Sequence, residues 1–257
     1  MNATPFVIWF EQRSGSTHLV SLLDSHSRIA CFPEIFFKGE GAADRDYFNA
    51  SGCGTVAEFL DALFAYRWGR NGANLPNGDY QRKPVSAVGF KLKYSQANRY
   101  PEIFDYLTRR RDDIRVLHLV RTNALAAIVS AQSLENVLAH FGRANIRNSV
   151  SLDGFNQTVE LDCHHLLERL EDYQANLEAA RRRVCNFEHR IEIRYEDIVS
   201  SQRPTLARIS KFLDVPNQSG LTSSYQKILQ GKMSAAISNY QDVHASLRGT
   251  QFEKFLL

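Results

Sequence analysis

No stretch of this 257-residue chain approaches the roughly 20 apolar residues that cross a bilayer. The first residues lack the basic stretch, apolar run and small-residue cleavage site of a secretory signal, so a cytoplasmic location is expected. Cysteine is scarce. Cys31, Cys53, Cys163 and Cys185 contain no CxxC pair and no paired spacing, and read as buried or incidental thiols in a reducing compartment. In that setting the N-x-S/T triplets at Asn49, Asn156 and Asn217 carry no meaning. Charge of one sign is also lacking. A formal balance of +3 provides no bulk attraction for nucleic acid or membrane, so an anionic small ligand would need a local cluster of basic groups. There is no internal repeat and no low-complexity tract.

What is present is ordinary soluble-protein composition, 44% hydrophobic and 23% charged, and enough chain to bury a core without staples or metals. Runs with few charges and many β-branched or aromatic residues predict strands at Pro5–Glu11, Ser86–Leu92, Arg115–Val120 and Arg190–Tyr195, with a weaker one at Ile29–Cys31. Helical patterns fall between them at Ser16–Leu23, Val56–Arg67, Ile103–Arg111, Asn123–Ala139 and Arg203–Leu213. The longest, about Leu161–Asn186, carries one apolar stripe through Leu166, Leu170, Tyr173, Leu177, Ala180 and Val184. Strands alternating with helices predict an α/β fold, with a mostly parallel central sheet covered by helices on both faces. The loop-rich zones Lys38–Thr55 and Trp68–Pro84 read as a rim around a site, not as linkers, so residues 1–257 are expected to form a single domain.

The stretch FVIWFEQRSGSTHLVSLL, Phe6 to Leu23, sets a short polar turn between a strand and a helix. First-turn N–H groups are unpaired there, and the helix dipole favours an anion. Gly15 permits close approach of backbone to ligand, Ser14, Ser16 and Thr17 add hydroxyl donors, and Arg13 adds a forked cation. A plain helix cap at Ser14 or Ser16 would explain one serine but not the whole run. An ATP- or GTP-hydrolysing loop would read GxxxxGK[ST]. Aligning Gly15 with its second glycine puts Phe10 at the first glycine and Ser16 at the lysine, so both essential positions fail.

The turn RSGSTHL, Arg13 to Leu19, resembles the 5′-phosphosulfate loop of the sulfotransferases that use 3′-phosphoadenosine 5′-phosphosulfate, in the form common to carbohydrate and bacterial members. Three further stretches agree in order. VLHLVRTNALAAIVSAQ looks like the family's 3′-phosphate segment, with Arg121 and Ser130 as the implied contacts at an interval of nine, longer than is usual in cytosolic members. IRYEDIVSSQRPTLARISKFLDV matches the family's Tyr-Glu-Asp pattern, which implies that Tyr195 lies near the adenine. GKMSAAISNYQDVHASLRGTQFEKFLL is similar to the tail of many bacterial and carbohydrate members. The resemblance implies a P-loop NTPase-like sulfotransferase fold that moves a sulfo group from 3′-phosphoadenosine 5′-phosphosulfate to an acceptor hydroxyl. It also implies Arg13 and the loop, including His18, at the 5′-phosphate, and no required metal.

Such chemistry needs a base and cations where charge develops. Glu34 in ACFPEIFF follows the weak second strand, where related enzymes place a catalytic glutamate, and its aromatic neighbours would raise its pKa. Lys91 in VGFKLKYSQ stands where relatives carry a basic residue near the transferring group, but alternation puts Lys93 on the same face. Lys232 either closes over the donor phosphates or is simply solvated. His164 and His165 fall on the long helix without a third ligand, so no metal site is expected, and His118 reads as packed or paired within a strand. Arg109–Arg111 and Arg181–Arg183 end helices, where cations suit the dipole. The expected acceptor is a small molecule or glycan with a free hydroxyl, by the resemblance a carbohydrate or glycolipid and not a phenol, in a pocket shaped by the loops Lys38–Thr55, Trp68–Pro84 and Gly142–Asn156. The rival readings are a divergent P-loop nucleotide or metabolite kinase and a non-catalytic module that binds adenosine bisphosphate.

Overall fold

Alternation along the strands sends side chains to two separate cores. In the computed structural model, which describes residues 3–37, 45–66, 84–229 and 231–256, the strands are β1 (Thr4–Phe10), β2 (Ile29–Phe32), β3 (Phe36–Phe37), β4 (Arg45–Asp46), β5 (Ala87–Lys93), β6 (Arg115–Val120) and β7 (Arg190–Arg194). Five of them form one sheet in the order β2-β5-β1-β6-β7, every neighbouring pair parallel. Strands β3 and β4 pair antiparallel on their own. On one face of the large sheet Val7, Trp9, Val88, Phe90, Leu92 and Val116 are buried; on the other, Phe6, Ile8, Phe10, Ala87, Leu117 and Leu119. Burial on both faces is why these strands read as nearly continuous apolar runs.

Helices cover both faces. They are α1 (Ser16–Asp24), α2 (Tyr47–Ser51), α3 (Val56–Phe64), α4 (Tyr94–Arg99), α5 (Pro101–Arg109), α6 (Ala124–Gln132), α7 (Leu134–Phe141), α8 (Leu166–Arg183), α9 (Tyr195–Ser200), α10 (Gln202–Phe212), α11 (Met233–Ala236) and α12 (Tyr240–Leu247). Residues of α3, α5 and the end of α8 pack with the first face, and those of α1, α9 and α10 with the second. The tail supplies a third core: Val243 and Leu247 of α12, with Phe252, Phe255 and Leu256, bury against Leu125 and Val129 of α6 and Leu166 and Leu170 of α8. Enclosure from several sides accounts for the apolar character of α6 all round its axis. No helix among the described residues is long and apolar enough to cross a membrane.

The five expected strands of the large sheet form, each end within one residue of expectation. The helices needed more correction. The expected Asn123–Ala139 helix is two, joined at Ser133, whose hydroxyl donates to the Ser130 carbonyl instead of leaving the backbone ladder undisturbed. The long helix starts at Leu166 and not Leu161, because the Asp162 carboxylate accepts from the backbone N–H of His164 (2.9 Å) and pairs with His165 (2.7 Å) in a preceding turn. His164 and His165 therefore precede α8 instead of lying along it. Helix α3 ends at Phe64, followed by Tyr66 in the left-handed region (φ 53). Of the two loop-rich zones, residues 38–44 and 68–83 lie outside the described residues, as does Arg67, the expected end of α3, while β4 and α2 occupy part of the first zone.

His118 is packed and paired. The Tyr94 hydroxyl meets its Nε2 at 2.6 Å, and Glu192, aligned with it across β6 and β7, lies 3.7 Å from Nδ1. Arg181 grips both oxygens of Glu192 at 2.7 and 2.8 Å. Burial pushes the His118 pKa down to about 4, so the ring is neutral near pH 7.

Candidate active site

Strand order reverses at β1: β5 and β2 lie to one side, β6 and β7 to the other. In an open parallel sheet the crevice at the carboxyl end of such a strand is where ligands bind. The turn that leaves β1 there contains two left-handed residues, Arg13 (φ 62) and Gly15 (φ 82), and delivers the chain into α1 at Ser16. Neither serine caps the helix by its side chain. Gly15 is the N-cap residue and makes no side-chain cap bond, so the first-turn amides stay available to an anion.

Gly15 is required twice over. Its φ is costly for other residues, and a Cβ there would meet the Tyr195 ring at 2.2 Å. Gly15→Ala is expected to lower stability by at least about 1–2 kcal/mol from the backbone conformation, with Tyr195 displaced besides. A denaturant midpoint unchanged in that variant would show that the turn does not need this conformation.

Arg121 leaves β6 beside the turn. Its guanidinium donates to the Arg13 carbonyl at 3.0 Å and lies 4.9 Å from the centroid of the Tyr195 ring. Tyr195 thus packs between the glycine of the turn and Arg121. The Tyr173 hydroxyl donates to the Arg121 carbonyl (3.0 Å), and the Glu196 carboxylate accepts from the backbone N–H groups of Thr122 (3.2 Å) and Asn123 (3.1 Å), tying α9 to the start of α6. The sequence placed Tyr173 only in an apolar stripe and did not single out Glu196, although Glu196 stands in the same Tyr-Glu-Asp pattern as Tyr195.

Arg13 reaches across to the next segment. Its Nε donates to Ser130 Oγ at 3.0 Å and its Nη1 to the Ala144 carbonyl at 3.4 Å, which sets its charge beside the segment that the resemblance implies for the 3′-phosphate. Two guanidiniums therefore converge there, each bonded to neutral oxygens. Burial lowers the pKa of both, and for Arg13 the neighbouring Arg121 charge lowers it further. Arg121 Nε is buried without a partner. Such a pair is stabilised by an anion.

The cleft between these residues has a volume of about 310 Å³. Arg13, Gly15, Ser16, Thr17, His18, Arg121, Ser130 and Tyr195 line it, together with Asn145, Val199, Gln202 and Tyr225 to Leu229. Burial lowers the pKa of His18 from 6.5, leaving a neutral ring at the cleft wall near pH 7. Ser14 is the exception among the turn residues. It is fully buried, its hydroxyl has no partner, and it faces a cavity of about 10 Å³ behind the turn, shared with Glu11, Tyr94, Arg121 and Tyr173.

The turn's own hydroxyls are met by Lys91. Its ammonium donates to Thr17 Oγ1 at 2.9 Å and to Ser16 Oγ at 3.5 Å, and pairs with Glu34 Oε1 at 3.2 Å. Strand parity points Lys91 toward α1, where it is 6% exposed; Lys93 ends the strand, less buried, as α4 begins. Sequence alternation could not separate the two. Glu34 is not in the apolar setting expected of it: Gln96 Nε2 donates to Oε2 at 2.9 Å while Lys91 holds the other oxygen. Lys232 is exposed at the start of α11. Among the described residues no group of three His, Cys, Asp or Glu side chains is placed to hold a metal ion.

Residues 5–219 match a family model described as "Sulfotransferase family". No curated protein matches the chain. Among solved structures, the chain is similar to the sulfotransferase domain of the Synechococcus PCC 7002 olefin synthase, at 17% identity over 93% of this chain and 83% of that one, TM-score 0.46. It is also similar to a sulfotransferase from Alicyclobacillus acidocaldarius, at 15% identity over 100% of this chain and 96% of that one, TM-score 0.47. The family assignment rests on the sequence model.

Proposed function

The chain belongs to the sulfotransferase family, and from that premise we propose that it transfers a sulfo group from 3′-phosphoadenosine 5′-phosphosulfate to a hydroxyl of a carbohydrate or glycolipid acceptor. The observation that carries the reading is that Arg13, bonded to Ser130, and Arg121, bonded to the Arg13 carbonyl, line one cleft beside a helix N-terminus whose amides are open. A donor with phosphates at both the 3′ and 5′ positions needs two anion sites in one cleft, and a volume of about 310 Å³ lies within the range of small-ligand sites.

In this reading Arg121, Ser130 and Arg13 hold the 3′-phosphate, the amides and hydroxyls of Ser16 and Thr17 receive the 5′-phosphate, and Tyr195 packs along the adenosine. Glu34 takes the proton of the acceptor hydroxyl as its oxygen bonds to sulfur. The bond from sulfur to the bridging oxygen breaks, and that oxygen leaves with its electron pair on the 5′-phosphate. Lys91, already on Thr17, offsets the charge that develops there. The residues of 1–257 act as one domain, and the free thiols Cys31, Cys53, Cys163 and Cys185 fit a reducing, cytoplasmic setting.

Thermal unfolding with adenosine 3′,5′-bisphosphate, compared with ATP and magnesium, tests the donor. Bisphosphate at about 100 times its dissociation constant should stabilise the protein by roughly 2.7 kcal/mol. Stabilisation by ATP with magnesium alone would favour a kinase and sink the sulfotransfer reading. Mass-spectrometric detection of an added sulfo group across sugars, glycolipids and phenols then identifies the acceptor.

A further inference from the structure

Gln96 is buried, 5% exposed, in the first turn of α4, which starts immediately after β5. Its amide has a fixed orientation. The backbone N–H of Lys93 can only donate, so the Gln96 Oε1 at 3.0 Å must face it. The Nε2 group is then turned to Glu34 Oε2 at 2.9 Å, where it too can only donate. Lys91 occupies Oε1 of the same carboxylate at 3.2 Å. Each oxygen of Glu34 therefore has its own donor, and the terminal torsion, broad for a free glutamate, is pinned at two points. Lone pairs remain on both oxygens for an incoming hydroxyl, since a carboxylate has about four acceptor positions.

We propose that Gln96 is the positioning residue of this site, aiming Glu34 and keeping it an acceptor of protons. The proposal rests on the reading of Glu34 as the base. A donor that cannot accept favours the ionised carboxylate, because a protonated oxygen would set O–H against N–H. The helix start that holds Gln96 is the half of a capping box in which the third side chain reaches back to the N-cap N–H. Gln96 thus links the end of the strand that carries Lys91 to the carboxylate that Lys91 pairs with.

A purely structural glutamine would serve only the helix start, and two substitutions separate the roles. Gln96→Glu keeps an oxygen for the Lys93 N–H but sets a carboxylate against Glu34. Gln96→Leu keeps the bulk and removes both bonds. In protein carrying ¹³C-labelled glutamate carboxyls, the Glu34 signal is the one absent from Glu34→Gln. In Gln96→Glu its titration midpoint should move up by about one pH unit or more relative to the wild type, and in Gln96→Leu it should move in the same direction. Turnover with the acceptor found by the screen should fall about tenfold or more, with affinity for adenosine 3′,5′-bisphosphate unchanged within about twofold. An unmoved midpoint in both variants overturns the proposal. So does wild-type turnover in both beside an inactive Glu34→Gln. Full turnover in Glu34→Gln itself would instead remove the base, and this proposal with it.

Discussion

Glu34→Gln is expected to lower turnover by about 10²–10⁴-fold, the usual contribution of a positioned general base. The substitution is isosteric, and its amide oxygen can still accept from Lys91, which stands 3.2 Å from the native carboxylate. Its nitrogen, however, cannot take a proton from an acceptor hydroxyl, and it would face the Gln96 amide as one donor facing another. Among the described residues Glu34 is linked to the cleft lining through Lys91 and Thr17, so affinity for adenosine 3′,5′-bisphosphate should stay within about twofold of wild type. Calorimetric titration of the bisphosphate together with single-turnover sulfo transfer separates the two quantities. Normal transfer by the variant would remove Glu34 as base.

Arg121→Ala should weaken adenosine 3′,5′-bisphosphate roughly ten- to a hundredfold. A hydrogen bond to a charged group contributes about 1.5–3 kcal/mol, and each 1.4 kcal/mol is about tenfold in affinity. The fold should survive, because the variant also relieves the repulsion that the Arg121 charge exerts on the half-buried Arg13 guanidinium. It does give up the bond to the Arg13 carbonyl and the contact with the Tyr195 ring. Adenosine 5′-monophosphate, which lacks the 3′-phosphate, is the control. Its affinity should change far less, and an equal loss for both nucleotides would show that Arg121 supports the turn instead of the 3′-phosphate.

The two assignments were legible to different degrees. Arg121 and Ser130 could be named only through the resemblance of their segment to the sulfotransferase pattern, and the structure brings both to the cleft, Ser130 bonded to the Arg13 side chain and Arg121 to its carbonyl. Glu34 could be named from its place after a strand, but its surroundings could not. The aromatic residues beside it in sequence suggested an apolar site, whereas residues about sixty positions away supply its partners. Gln96 carried a signal of its own, its spacing of three from Lys93, the N-cap residue of α4.

The sequence by itself determined the elements and their order. Apolar runs set the five strands of the large sheet because each is buried on both faces, and the polar turn between β1 and α1 suggested an anion site because a helix cap would explain only one of its donors. Tertiary structure decided everything that depends on which distant side chains meet. It turned Arg13 to Ser130, took Ser14 behind the turn, and chose Lys91 over Lys93, since two lysines of equal parity differ only in what packs against them. It broke the helices at Ser133 and Asp162, where a side chain satisfies backbone groups that periodicity cannot count. Periodicity is a property of neighbours along the chain; the pairing of Glu34 with Lys91 and Gln96 is a property of strand register, and exists only once the sheet is assembled.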